Sequence, residues 1–166
     1  MPRWKRCGMQ RQLSTPWVSA LVVESATVER EQSTHGPFVS DYLDEWGGEG
    51  ITKCETMDSA LSAKTIGCSR CLNDCFNETL VAFDAVNHSF SYTINAAPGT
   101  PVDAAEGYLS TWKFYEVTNP AEGESSQTFV VQTSVWTTGD TQAILDFCNP
   151  IYKSVIIGLK AYVEKK

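Results

Sequence analysis

The last stretch of the chain limits what everything before it can be. From Gly139 to Lys166, apolar residues recur at Ile144, Cys148, Ile151, Tyr152, Val155, Leu159, Tyr162 and Val163, the three- and four-residue spacing of one helix face. A helix with a single apolar stripe must bury it, so the preceding residues have to supply a matching apolar surface. Asp140 is a good N-cap, and Lys160, Lys165 and Lys166 lie towards the C-terminal end, where cations suit the helix dipole. Asn149-Pro150 interrupts the middle. Proline lacks the N–H of an interior helical bond and disfavours a helical residue before it, a cost of about 3 kcal/mol in an isolated helix. Asn149 could cap a new segment with Pro150 at its first position. The pattern predicts a kinked helix, or a short helix running into a long one.

The surface that receives the helix reads as a sheet. Trp17 to Ser25 is rich in Val and Leu and predicts a first strand. Gly36-Pro37 marks a boundary, after which Phe38, Val39, Tyr42, Leu43 and Trp46 recur at helical spacing over a length that suits one or two short helices. Gly47-Gly48-Glu49-Gly50 ends them; it lacks the spacing of a phosphate-binding loop, and Lys53 is followed by Cys54 instead of Ser or Thr. Six further strands are predicted over Ile51 to Asp58, Ala63 to Leu72, Phe76 to Asp84, Ser89 to Asn95, Tyr108 to Thr118 and Thr128 to Thr137. Short links make neighbours antiparallel, while the longer links, Ala96 to Gly107 and Asn119 to Gln127, should be exposed. The expected fold is α+β: a curved seven-stranded antiparallel sheet around the long C-terminal helix, with two short helices after the first strand.

Composition narrows the function. The 166 residues suit one domain, expected over residues 17–166, and a net charge of -7 argues against nucleic-acid binding. Four basic residues, Arg3, Lys5, Arg6 and Arg11, sit in the first eleven positions, so the rest is more acidic still. Residues 1–16 read as a disordered basic tail, a transit peptide being the alternative. No apolar run approaches the roughly 18 residues of a membrane span, and no signal-peptide core follows Met1, so a cytoplasmic protein is expected. On that reading the sequons at Asn77 and Asn87 are chance matches.

One hairpin carries the chemistry. If the turn Leu72-Asn73-Asp74-Cys75 is centred on Asp74, Arg70 and Glu78 lie opposite each other with Cβ atoms about 5 Å apart. By the period-two rule Ile66 and Cys68 then share a face with Arg70, and Phe76, Leu80 and Ala82 share one with Glu78. That face is mostly apolar. An ion pair there is costly, because each charge loses hydration that its partner only partly replaces, which points to an interior that is wet or ligand-filled. Phe90, Tyr92 and Ile94 on the next strand, and Tyr108, Ser110, Trp112 and Phe114 on the one after, mix hydroxyls with large aromatic rings, as a small-molecule site does. The alternative is a register shifted by one, or a surface pair worth under about 1 kcal/mol.

Gly67-Cys68-Ser69-Arg70, Glu78-Thr79-Leu80-Val81-Ala82-Phe83-Asp84, Ser89-Phe90-Ser91-Tyr92-Thr93-Ile94 and Gly107-Tyr108-Leu109-Ser110-Thr111-Trp112, followed by the terminal helix, resemble in order and spacing the START/Bet v 1-like helix-grip (SRPBCC) superfamily, polyketide cyclase/dehydrase type. The resemblance spans about Ala20 to Glu164. It implies a sheet gripping the C-terminal helix over a hydrophobic cavity. In similar plant enzymes the residues matching Arg70 and Glu78 are implicated in catalysis, and in similar hormone receptors those matching Glu78 and Tyr108 line the pocket. The receptors' gate and latch sequences are absent, which argues against hormone reception of that type.

The resemblance therefore implies a cavity that binds a small hydrophobic molecule, with Arg70 and Glu78 as catalytic residues and Tyr92, Tyr108, Ser110, Trp112 and Tyr152 around the ligand. Glu78 would act as acid or base in a cyclisation, dehydration or isomerisation without cofactor, metal or nucleotide. The alternatives are a non-catalytic carrier or sensor, and an interaction module whose cavity is filled by its own side chains. Cys68, Cys71 and Cys75 invite a zinc reading, but Cys68 and Cys71 are an odd number apart on a strand and should face opposite ways, leaving reduced thiols or a Cys71–Cys75 link across the turn. His35 and His88 lack a partner nucleophile in any recognised motif and read as loop histidines.

Overall fold

A computed structural model describes residues 17–23, 50–58, 60–61, 64–117 and 127–163. Its strands are β1 (Trp17–Val23), β2 (Cys54–Thr56), β3 (Ser69–Leu72), β4 (Phe76–Asp84), β5 (Ser89–Ala96), β6 (Leu109–Val117) and β7 (Gln127–Val135), followed by one long helix, α1 (Thr141–Val163). The strands form a single antiparallel sheet in the order β1-β7-β6-β5-β4-β3-β2. From β2 onward each strand pairs with the next in the chain, across the short links of β3–β4 and β4–β5 and the longer ones alike; β1 closes the far edge against β7. The expected pair of short helices and the basic tail lie outside the described residues.

Helix α1 covers the apolar side of the sheet. Ile144, Cys148, Val155 and Ile156 are buried, with Ile151, Leu159 and Tyr162 packed beside them. Asp140 caps the helix as its sequence suggests, its carboxylate accepting from the Ala143 N–H at 3.1 Å. Of the two expected forms, a short helix running into a separate long one is not seen: α1 is one continuous helix through Pro150. Pro150 sits on the exposed side, so the carbonyl it leaves without a helical donor faces water.

Two core clusters lie between sheet and helix. One gathers Ile51, Leu72, Phe90, Tyr92, Trp112 and Val130 against Val155 and Ile156; Phe90 and Trp112 stack with centroids 6.1 Å apart. The other gathers Ala97, Val102, Tyr108 and Trp136 against Ile144 and Cys148. The second corrects an expectation. The link from Ala96 to Gly107 is not wholly exposed, since Ala97 is fully buried and a short 3-10 helix, Pro101–Ala104, buries Val102 beside the start of α1. Two of the predicted strands are also shorter than expected: β2 and β3 begin at Cys54 and Ser69, which leaves Ile66 outside the sheet and exposed.

Candidate functional site

The hairpin that carries the site is built by its turn. Asn73 and Asp74 both take the left-handed conformation, with φ of 53° and 54°, a geometry that Asn and Asp tolerate better than other non-glycine residues. The Asn73 side chain also staples the preceding segment: its carbonyl accepts from the Thr52 and Lys53 N–H groups at 2.9 and 3.2 Å, and its amide donates to Gly50 O at 2.9 Å. The turn fixes the register, and Arg70 pairs with Glu78 as the count from Asp74 requires. Both point to the helix side. Arg70 Nε and Nη2 both contact Glu78 Oε2, at 2.8 and 2.7 Å, and the Glu78 side chain is only 6% exposed.

Strand β4 departs from strict alternation just beyond. A bulge between Leu80 and Ala82 puts Leu80 opposite Tyr92 and Ala82 opposite Ser91. Ala82 therefore faces solvent instead of sharing the Glu78 face, and Phe83 turns inward onto the core. Val81 and Phe83, apolar residues that strict alternation would turn away from the Glu78 face, mark this bulge in the sequence.

Between the hairpin and α1 lies a cavity of about 50 Å³ lined by Arg70, Glu78, Tyr92 and Trp112 from the sheet and Ile151, Tyr152 and Val155 from the helix. Leu72, Phe76, Phe90 and Ile94 make the rest of the wall largely apolar. The volume suits a water or two; pockets for drug-sized ligands are roughly 300–1,000 Å³. The Arg70 guanidinium lies 5.6 Å from the centre of the Tyr92 ring, a cation–π contact that gives it a second partner.

Burial pushes the Glu78 carboxyl above its ordinary value, and Arg70 pulls it only part of the way back. Burial opposes the charge on Arg70, but the Glu78 carboxylate outweighs it and keeps the guanidinium protonated. Tyr92, Tyr108 and Tyr152 are all pushed up, chiefly by burial, so each phenol keeps its proton. Burial raises the Cys148 thiol in the same way.

Of the residues expected around a ligand, Arg70, Glu78, Tyr92, Trp112 and Tyr152 meet at the cavity wall. Tyr108 and Ser110 are not part of that wall. They stand behind it in a buried polar network: Tyr108 contacts the Tyr152 hydroxyl and donates to Ser134 Oγ at 3.2 Å, and Gln132 Nε2 donates to Ser110 and Ser134 at 2.6 and 2.8 Å. Gln132 and Ser134 escaped the reading of the sequence. Their signal is alternation, since Val130, Gln132 and Ser134 on β7 and Trp136 just after it are all buried, two polar residues among apolar ones. Among the described residues no disulfide joins Cys54, Cys68, Cys71, Cys75 or Cys148, and no group of His, Cys, Asp or Glu could hold a metal. No described helix is long and apolar enough to cross a membrane.

No family model and no curated protein matches the chain. Solved structures do. A structural-genomics protein from Nitrosospira multiformis is similar at 22% identity with a TM-score of 0.66, covering 89% of this chain and 94% of its own. An uncharacterised protein from Bacillus thuringiensis aligns at 20% identity with a TM-score of 0.55, over 90% and 98% of the two chains. The Bet v 1-like allergen Ara h 8.0201 aligns at 13% identity with a TM-score of 0.60, over 92% and 99%. At such identities the shared property is the fold, and the chain takes a helix-grip-like α+β fold of the Bet v 1 kind.

Proposed function

We propose that this protein binds a small, largely apolar molecule between the sheet and α1, with Arg70 and Glu78 as the polar pair that acts on it. The observation that carries the reading is a desolvated ion pair facing an aromatic cavity on the side of the sheet that a purely structural core would keep apolar. The Bet v 1-like fold, a fold that commonly binds small hydrophobic ligands, supports the same reading. Glu78, whose carboxyl burial pushes up, is suited to receive or return a proton, and Arg70 to stabilise charge developing on a ligand oxygen. The reaction class is that of polyketide cyclase/dehydrase-like proteins: cyclisation, dehydration or isomerisation. Tyr92, Trp112 and Tyr152 would contact the ligand, and Tyr108 and Ser110 would act through them.

A second reading is a carrier or sensor that uses the same cavity without chemistry; like the first, it requires the cavity of about 50 Å³ to open around its ligand. Native mass spectrometry of freshly purified protein tests what the two share, since both expect a small-molecule adduct that heat or organic solvent releases. A protein that carries no adduct and binds nothing from a panel of apolar ligands would favour a self-filled interaction module. Once a ligand is in hand, Glu78→Gln separates the readings. Acid/base chemistry requires turnover to disappear while binding persists; equal turnover by both forms removes the catalytic assignment.

A further inference from the structure

Arg70 and Glu78 do not form the usual fork. A guanidinium that meets a carboxylate commonly spreads two parallel N–H bonds over both oxygens. Here Nε and Nη2 converge on Oε2 alone, at 2.8 and 2.7 Å, and among the described residues no donor reaches Oε1. Glu78 is nevertheless buried, its side chain 6% exposed. That small open part includes Oε1, which is not fully enclosed. Glu78 points to the helix side, where it lines the cavity, so Oε1 is a carboxylate oxygen presented to that space with its lone pairs unspent.

The rest of the wall sharpens the contrast. Asn73, the other side chain there with a carbonyl-type oxygen, is already committed: its oxygen accepts from the Thr52 and Lys53 N–H groups, and its amide donates to Gly50 O. The Tyr152 hydroxyl is engaged with Tyr108 and Ser134 behind the wall. Arg70 offers the same N–H groups to a hydroxyl and to a ketone, so those two classes of ligand differ at Oε1. A hydroxyl gives it a proton to accept; a ketone sets lone pair against lone pair. The charge count excludes a cationic donor. Arg70 and Glu78 are paired one to one, so an ammonium would bring an uncompensated charge against Leu72, Phe76, Ile151 and Val155.

We infer that the cavity selects a neutral molecule carrying a hydrogen-bond donor, a hydroxyl or an N–H, that is received by Glu78 Oε1. This rests on the ligand-binding reading above and narrows its ligand class. It also divides the carboxylate between two tasks: Oε2 holds Arg70, and Oε1 meets the ligand.

Cyclopentanol, cyclopentanone and cyclopentylammonium test it, titrated at neutral pH and followed by two-dimensional NMR of the labelled protein. Each ring requires a similar widening of the cavity, so the differences report on the polar group. The alcohol should bind about tenfold tighter than the ketone or more, the effect of one hydrogen bond to a charged acceptor, and tighter than the ammonium. Glu78→Gln supplies the second measurement. The Arg70 N–H groups still call for an oxygen at the Oε2 position, so the amide nitrogen takes the place of Oε1 and the open acceptor becomes a donor. Alcohol and ketone should both still bind, with the preference for the alcohol gone; a fold that had merely loosened would weaken both and keep their ratio. A ketone or an ammonium that binds the wild type as tightly as the alcohol, or an alcohol preference that survives Glu78→Gln, overturns the assignment while leaving a ligand cavity in place. If no ring binds but purified protein carries an adduct, fragmentation of that adduct decides: a molecule with a neutral O–H or N–H supports the inference, and one without overturns it. If no ring binds and there is no adduct, the ligand-binding reading falls and this inference falls with it.

Discussion

Arg70 places two nitrogens on one oxygen of Glu78, so deleting either residue strands the other in a low-dielectric site. Glu78→Leu alone should cost roughly 3–5 kcal/mol, whereas the double variant Arg70→Met with Glu78→Leu should lose far less, because no charge is left unpaired. Urea unfolding of both variants checks this; equal losses would mean that the guanidinium finds other partners. The same pair sets a pH dependence. The folded state holds the Glu78 proton more tightly than the unfolded chain, so this residue's contribution is fully present below about pH 4.5 and is lost as pH rises through the folded value. The stability of the wild type relative to the double variant should therefore fall from pH 4.5 upward, and a difference that stays flat would contradict the raised carboxyl. The pairing itself was legible because a turn centred on Asp74 leaves one register open. Gln132 and Ser134 were not, since a polar residue inside a strand looks the same in sequence whether its hydrogen-bond partners are buried neighbours or water.

At the scale of elements, α1 was legible from its stripe and its cap, but the choice between one continuous helix and two at Pro150 was not. Local preference left both open; burial of residues on both sides of the proline favours the continuous form, which is a tertiary effect that no local pattern records. Pro150→Ala should restore one helical hydrogen bond on the exposed face and raise stability by about 1–3 kcal/mol, read as a higher urea midpoint; no gain would show that the helix has already adjusted to the ring. The turn into α1 is less tolerant. Gly139 has φ of 101°, and an added Cβ would stand 3.0 Å from Ile144 Cδ1 and 3.3 Å from the Ala104 carbonyl oxygen. Gly139→Ala should therefore cost more than about 1 kcal/mol, measured in the same way. The bulge after Leu80 was visible only as a fault in alternation, because one extra residue reverses every face that follows it.

For the whole molecule, the α+β plan was legible because a one-sided helix and a run of short strands admit few arrangements. The size of the cavity was not, since about 50 Å³ depends on how large rings such as Phe90 and Trp112 stack. The sheet order has a further consequence for how the chain is made. β1 is paired along its length with β7, Trp17 opposite Ser134. At about 5–20 residues per second a ribosome needs roughly 6 to 23 seconds to travel between those two positions. Throughout that interval the segment WVSALVV has no partner strand to cover its backbone. The step most exposed to misassembly in the cell is thus the wait for β7, and crowding of nascent chains should lower the yield of folded protein more than it slows the folding of any one copy.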